Sequence, residues 1–527
     1  MRPRTAAPLI LLLAAACAGR AAEPRAPAPR ASESAPAASL APLETSGTTP
    51  DEPVPAAVSD TAKDVAPDRA PSGPRMASRR FITWIYGRPS RKGLPIGYIR
   101  VGTWIDLKSA EKVLGEGCKG GWYEAKPFGF VCKEESSTMD PRDPLLVAMQ
   151  VVVPRSDAPL PYRYALSSGA PMYGHVPTDA EQTKAEGPKE KRRAREKLGK
   201  WASGHEELAT DETIAPTDEV PALLHDGKPT PTHHGEARRA VRKWIPNGSM
   251  LAYSHAFTAG GRTWLLSADL TVVPADRVRA FRVSTFHGVK LDAAHTLPAA
   301  WTRHDARPRY QREGEQMVPF GEKLPPRTFV SLGGTEVVVG GKTYLPIKDE
   351  AVFVRAEDVV VVKIKETLPI SVGASDKWIE VHLRAGTLTA YEGPKAVFTT
   401  LVSPGAGGVG PAKGTNDELV KLSTTPLGTY KIVWKDRAAP MSPEKGEPVK
   451  FWIADVPYTQ YFRAPFALHV AYWHEDFGMP KSAGCINVSP EDGRFLFGFS
   501  DPVVPPAWGG VGPGKDPGIG TTIAISP

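Results

Sequence analysis

Cysteine is scarce in this chain, with only Cys17, Cys118, Cys132 and Cys485 among 527 residues. No His/Cys/Asp cluster has the spacing of a zinc site, so no metal is expected. His255, His287, His295 and His304 are scattered and read as ordinary histidines. There is no P-loop, no dinucleotide fingerprint and no serine-hydrolase elbow, so no cofactor is expected. The Gly-rich GAGGVG at 405–410 lacks the Gly-Lys-Ser/Thr that would follow in a phosphate loop and reads as a mobile loop. No Lys/Arg stripe is interleaved with aromatics, so the net charge of +7 does not make a nucleic-acid binder. Beyond the first residues, no run is long and apolar enough to span a membrane.

The start of the chain carries a signal. Arg2 and Arg4 precede an apolar run from Leu9 to Ala16, followed by small residues. This is the layout of a secretory signal peptide, assigned to 1–17. Cys17 directly follows Ala14-Ala15-Ala16 and is a candidate for lipidation, which would give a lipid anchor in a membrane. Ordinary cleavage nearby is the competing reading. Residues 18–79 are rich in Ala, Pro, Ser and acidic residues and cannot build a core, so they read as a flexible tether. Export makes a disulfide between Cys118 and Cys132 reasonable. That pairing leaves Cys485 alone, unless Cys17 persists in the mature chain.

The 49 glycines and 54 prolines favour short strands and many turns over helical bundles, and the fold class expected is mainly β. Residues 80–138 alternate β-prone runs with Gly/Pro turns, as in FITWIYGRPSRKGLPIGYIRVGTWIDL. They resemble the small bacterial SH3-like domains that accompany cell-wall enzymes. Residues 139–236 combine β and turn character with a densely charged run at 181–202, read as a solvated helix, and a linker. Residues 237–370 read as a second β-rich accessory domain, with Val359–Val362 as a central strand. The last domain, 375–515, opens with KWIEVHLRAGTLTAYEG. Ile379, Val381 and Leu383 alternate there with Glu380, His382 and Arg384, as in a half-exposed strand that turns at Ala385-Gly386. A short helix is expected after Cys485, with Ser489 as N-cap, Pro490 in the first position and Asp492 at the capping-box position.

The stretch FALHVAYWHEDFGMPKSAGCINVSPEDGRFLF, residues 466–497, carries the chemistry. Acyl transfer by cysteine needs a thiolate, a base and donors for an oxyanion. Cys485 follows the small residues Ala483 and Gly484, which let the backbone turn tightly beside the sulfur. His469 ends an apolar strand-like run and so can be held rigidly.

This region resembles the YkuD-type L,D-transpeptidase domains of bacterial cell-wall enzymes. The matching pieces are His469, the loop with YWHEDFG at 472–478, and SAGCIN at 482–487, with KWIEVHL, AYEGPKAVFTTLVSPG and TTPLGTYKI upstream. The resemblance implies a C-terminal β-sandwich with Cys485 as nucleophile and His469 as base. It implies supporting roles for His474, Ser482, Gly484, Asn487 and Tyr472, and an oxyanion site on the backbone of Gly484 and Cys485. It implies a reaction on peptidoglycan stem peptides in the periplasm or cell envelope. One departure stands out: the family's histidine two residues before the cysteine is Ala483 here, and His474 could partly replace it. Three readings stay open: an L,D-transpeptidase, an L,D-carboxypeptidase, or a catalytically weakened peptidoglycan-binding protein.

Overall fold

The computed structural model describes residues 73–155, 158–189, 205, 207–210, 212–227, 244–411, 413–441, 452–512 and 519–527. Cys17, the leader 1–17 and the tether up to residue 72 lie outside the described residues. Among the described residues no helix is long and apolar enough to cross a membrane.

Order begins earlier than residue 80. The strand Arg75–Ser78 pairs antiparallel with Trp104–Asp106 and Ser137–Thr138. Its Met76 is fully buried and joins Ile85, Ile99, Ile105 and Val131 in one core. The same core takes Phe497, Val504, Trp508 and Val511 from the far end of the chain. The strand Gly510–Val511 completes the join by pairing with both Pro95–Arg100 and Trp434–Met441. Cys118 and Cys132 form a disulfide in this module, with their Cα atoms 5.7 Å apart.

Residues 237–370, expected as one accessory domain, are shared among several sheets. The strand Met250–Ala259 pairs with Arg163–Ser167, with Arg262–Ser267 and, in parallel, with Ile453–Arg463. Side chains alternate across a strand. Met250 and Ala252 face the C-terminal core, whereas Leu251 and Tyr253 face a second core with Ala165 and Val278. A strand buried on both faces between two cores leaves no room for a domain boundary beside it. Val289–Lys290 adds an edge strand to the C-terminal six-stranded sheet. Only residues 299–362 make sheets of their own, one of three strands and one of five. There Val360–Val362 pairs with Ala299–Trp301 at the edge of the three-stranded sheet, not at its centre.

Of the charged run at 181–202, the structure describes the start. The helix Asp179–Glu186 opens with a reciprocal capping box between Thr178 and Glu181. It is not wholly solvated. The Glu186 carboxylate is buried and accepts two bonds from Arg262, at 2.8 and 2.9 Å.

The C-terminal region is a sandwich with a shared core. Its six-stranded sheet runs in the order Val289–Lys290, Lys395–Leu401, Thr387–Glu392, Lys377–His382, Thr522–Ser526, Gly428–Lys431. Ile379, Val381, Leu388 and Phe398 from that sheet pack with Val456, Phe462, Leu468 and Ile486 from the other. The expected hairpin at Gly386 forms, but the first strand is not half-exposed. Glu380 is buried and tied to Lys365 at 3.0 Å and to the Tyr391 hydroxyl at 3.3 Å.

The helix Pro490–Phe499 has Ser489 as its N-cap, accepting from the Asp492 N–H. The Asp492 carboxylate does not complete a capping box. It accepts from the Gly288 N–H at 2.7 Å and the Thr400 hydroxyl at 2.5 Å, tying the helix to the strand Lys395–Leu401 and to the segment just before Val289–Lys290. Burial raises its pKa to about 6.

The Cys118–Cys132 bridge spans a separation of 14 residues. Closing a loop of that size stabilises by about 3 kcal/mol. Replacing both cysteines with serine should therefore lower hydrogen-exchange protection across 75–138 by about that amount, while strands at 377–401 keep theirs. Equal protection in both proteins would show that the module does not depend on the bridge.

Candidate functional site

Two strands place the site. Phe466–Val470 and Ile486–Val488 pair in parallel, with Leu468 opposite Ile486, His469 opposite Asn487 and Val470 opposite Val488. Leu468, Val470, Ile486 and Val488 turn into the apolar core. The alternation puts His469, Asn487 and Cys485 on the other face. Cys485 packs there against Ala467, Ala483 and Tyr461. It is only 1% exposed, and His469 and Asn487 are each 2% exposed. Cys485 is disulfide-bonded in this structure, so any thiol chemistry belongs to its reduced form.

The turn before the cysteine requires glycine. Gly484 has φ +124°, and a Cβ there would stand 2.6 Å from the Phe466 ring. The Gly484 N–H donates to Ser482 Oγ at 3.0 Å, and the Ser482 hydroxyl donates to the Cys485 carbonyl. The GAGGVG segment lies against this turn. The Ala406 N–H donates to the Ser482 carbonyl at 2.7 Å, and a Cβ on Gly407 would meet the Leu422 carbonyl at 2.0 Å. The segment is close-packed, contrary to its reading as a mobile loop, because its glycines let two backbones touch.

A directional chain of hydrogen bonds connects the two histidines. The Asp476 N–H donates to His474 Nδ1 at 3.2 Å. A backbone N–H can only donate, so His474 Nδ1 is unprotonated and its proton sits on Nε2. That Nε2–H donates to Asn487 Oδ1 at 3.1 Å. The amide is thereby oriented with Nδ2 toward His469 Nε2, also at 3.1 Å. His469 Nε2 then accepts, and its Nδ1–H donates to the Val470 carbonyl at 2.9 Å. A carbonyl can only accept, so the far end demands the same tautomer independently. Burial lowers both imidazole pKa values to about 4, so both rings are neutral at pH 7. The arrangement can present a basic Nε2 from a rigid, neutral imidazole on the face that carries Cys485.

Ser482, Gly484, Cys485, His469, His474 and Asn487 are thus brought together. Tyr472 is used differently: its hydroxyl donates to the Ala454 carbonyl at 2.8 Å and its ring stacks on Tyr164. Several residues of the site have no mark in the motif. The Asp476 carboxylate pairs with Lys481 at 2.7 Å, and its carbonyl accepts from the Ser403 hydroxyl. Arg327, far away in sequence, donates to the carbonyl of Glu475 at 3.0 Å and to its carboxylate at 3.1 Å.

Residues 376–523 match the YkuD family model, described as the L,D-transpeptidase catalytic domain. The match runs past the expected end at 515 and takes in Thr522 and Ile523, which pair in parallel with Trp378 and Ile379. In structure the chain is similar to an L,D-transpeptidase from Xylanimonas cellulosilytica, with 23% identity and a TM-score of 0.20, covering 31% of this chain and 65% of that one. It is similar to one from Stackebrandtia nassauensis, with 23% identity and a TM-score of 0.19, covering 29% and 57%. A third, from Mycobacterium smegmatis, has 14% identity and a TM-score of 0.21, covering 47% and 90%. The chain thus spans less than two thirds of the length of the first two. No curated protein matches it.

The buried histidines have a consequence for pH. An unfolded histidine takes a proton near 6.5. His469 and His474 in the folded chain do so only near about 4. Their contribution to stability is therefore complete above about 6.5 and is lost as pH falls from there toward about 4. Nitrogen-15 spectra of labelled imidazoles should show both rings neutral at pH 5.5, with His469 protonated on Nδ1 and His474 on Nε2. Half-protonation of either ring near pH 6.5 would contradict the buried, hydrogen-bonded arrangement.

Proposed function

We propose that the chain is an exported L,D-transpeptidase acting on peptidoglycan tetrapeptide stems, with Cys485 as nucleophile and His469 as base. The observation that carries this reading is the tautomer of His469. Its Nδ1–H is held by the Val470 carbonyl, which leaves Nε2 as the basic nitrogen on the face shared with Cys485. The family match over 376–523 supports the substrate class.

In the reduced enzyme His469 Nε2 takes the Cys485 proton. The thiolate attacks the carbonyl carbon of diaminopimelate at position three of the donor stem, forming a C–S bond. Backbone N–H groups of Gly484 and Cys485 meet the oxyanion. For this the Gly484 N–H must exchange Ser482 Oγ for the substrate oxygen, and Asn487 Nδ2 must release His469 Nε2. Protonated His469 gives its proton to the departing D-alanine amine as the amide C–N bond breaks. An acceptor amine, deprotonated by the same histidine, then attacks the thioester and frees the thiolate. The upstream β-modules, of the SH3-like kind, serve in this reading as accessory parts of a wall enzyme. The chain works in the periplasm or envelope, with Cys17 as its candidate lipid anchor.

Reduced protein should form one covalent adduct with a tetrapeptide donor or a carbapenem-type acylating agent, seen by intact mass, and Cys485→Ala should form none. His469→Gln should slow acylation by about 10²-fold or more, the range for positioned proton transfer, and His474→Gln should cost less. Muropeptide analysis should show new 3→3 crosslinks. Tripeptide stems without crosslinks would instead identify a carboxypeptidase, and unchanged stems with retained sacculus binding a wall-binding protein. An undiminished adduct on Cys485→Ala would exclude it as the nucleophile.

A further inference from the structure

We propose that Arg327, in the accessory β-module at 299–362, is a positioning residue for the cysteine site, acting through Glu475 on the His474–Asn487–His469 chain. The inference rests on the functional reading above and adds to it a dependence on a module outside the matched domain.

Glu475 lies between the two residues that begin the hydrogen-bond chain. His474 supplies the ring, and Asp476 supplies the N–H that sets its tautomer. Arg327 grips Glu475 twice, with Nη1 on the carbonyl and Nη2 on the carboxylate. The first bond fixes the peptide unit between Glu475 and Asp476, whose N–H is the one donated to His474. The second anchors a carboxylate that is 7% exposed, where charge-assisted bonds are strong and a missing partner is costly. Arg282 stands 3.9 Å from the same carboxylate, too far to replace a direct bond.

Arg327 itself is held in an uncommon conformation. Its φ is +57°, in the left-handed region that non-glycine residues enter at a cost. Its N–H donates to the Arg303 carbonyl at 2.9 Å, which ties it to the segment that follows the strand Ala299–Trp301. Other parts of the chain brace the same loop. Phe286 stacks on Phe477 with centroids 5.5 Å apart, and the Trp473 carbonyl lies 2.7 Å from His205 Nδ1. These contacts hold the loop as a body, whereas Arg327 alone among them bonds the residue between His474 and Asp476.

The test uses the full-length reduced protein and the variants Arg327→Gln, Arg327→Lys, Glu475→Gln and the double Arg327→Gln/Glu475→Gln. Arg327→Gln should lower kcat for donor acylation by about tenfold to a hundredfold, the scale of a small misplacement near reacting groups, with donor KM nearly unchanged. Arg327→Lys should recover part of the loss. The double variant should be no slower than the slower single, because both break one link. Imidazole nitrogen-15 shifts should show His474 losing its pure Nε2–H tautomer in Arg327→Gln. That spectrum needs no turnover, so it judges Arg327 even if wild-type protein fails to acylate and the functional reading falls. Should Arg327→Gln not fold, Arg327→Lys and Glu475→Gln carry the same comparison. Wild-type tautomers and kcat in these variants, with only the melting temperature lowered, would overturn the proposal and leave Arg327 a structural clamp.

Discussion

Everything at this site depends on one directional run of hydrogen bonds whose two ends are backbone groups. The Asp476 N–H can only give, and the Val470 carbonyl can only receive. Between them His474, Asn487 and His469 have no freedom left: each proton position follows from its neighbour. Burial then keeps both rings neutral. If His469 is the base proposed above, it needs no carboxylate to orient it, since a carbonyl fixes the tautomer without adding charge. His474 reaches the site from the loop, through Asn487.

In the proposed mechanism the described state is a resting state. The lone pair on His469 Nε2 that would receive a proton is occupied by Asn487 Nδ2, and the Gly484 N–H is occupied by Ser482. Both groups are satisfied internally while no substrate is bound, as buried polar groups must be. In the proposed reaction substrate and Cys485 must therefore offer replacements for these bonds. A carbonyl oxygen can replace Ser482 Oγ, and a thiol proton can replace the Asn487 donor. The exchange leaves the Asn487 amide N–H and Ser482 Oγ in need of new partners, which a bound stem peptide can supply.

Short-range features were readable in the chain. The Ser489 N-cap, Pro490, the hairpin at Gly386 and the Gly484 turn are local rules of backbone chemistry, and each appears where expected. The pairing of His469 with Asn487 was half legible, through strand alternation and a familiar motif. Three kinds of error share a cause in contacts between distant segments. Glu380 looked exposed because its strand alternates, yet Lys365 and Tyr391 cover and satisfy it. GAGGVG looked loose because it is glycine, yet glycine is what lets it pack against the backbone at Leu422, Ser423 and Thr425. Arg327 had no signal at all, since its partner Glu475 lies in a loop far along the chain and its left-handed turn has no glycine to mark it.

The limits of the matched domain are not the limits of the physical unit. Phe497, Val504, Trp508 and Val511 complete the core of a module that begins at Arg75. Met250 and Ala252 complete the core that contains Leu468 and Ile486. Cutting the chain before residue 376 would uncover apolar side chains on both sides of the site and leave Glu475 without Arg327. Burial of such side chains is worth about 1.5–3 kcal/mol each, comparable to the margin that keeps a whole domain folded. The upstream strands are thus structural walls of the cysteine domain. The chemistry of the last quarter of the chain is held in place by residues from the preceding three.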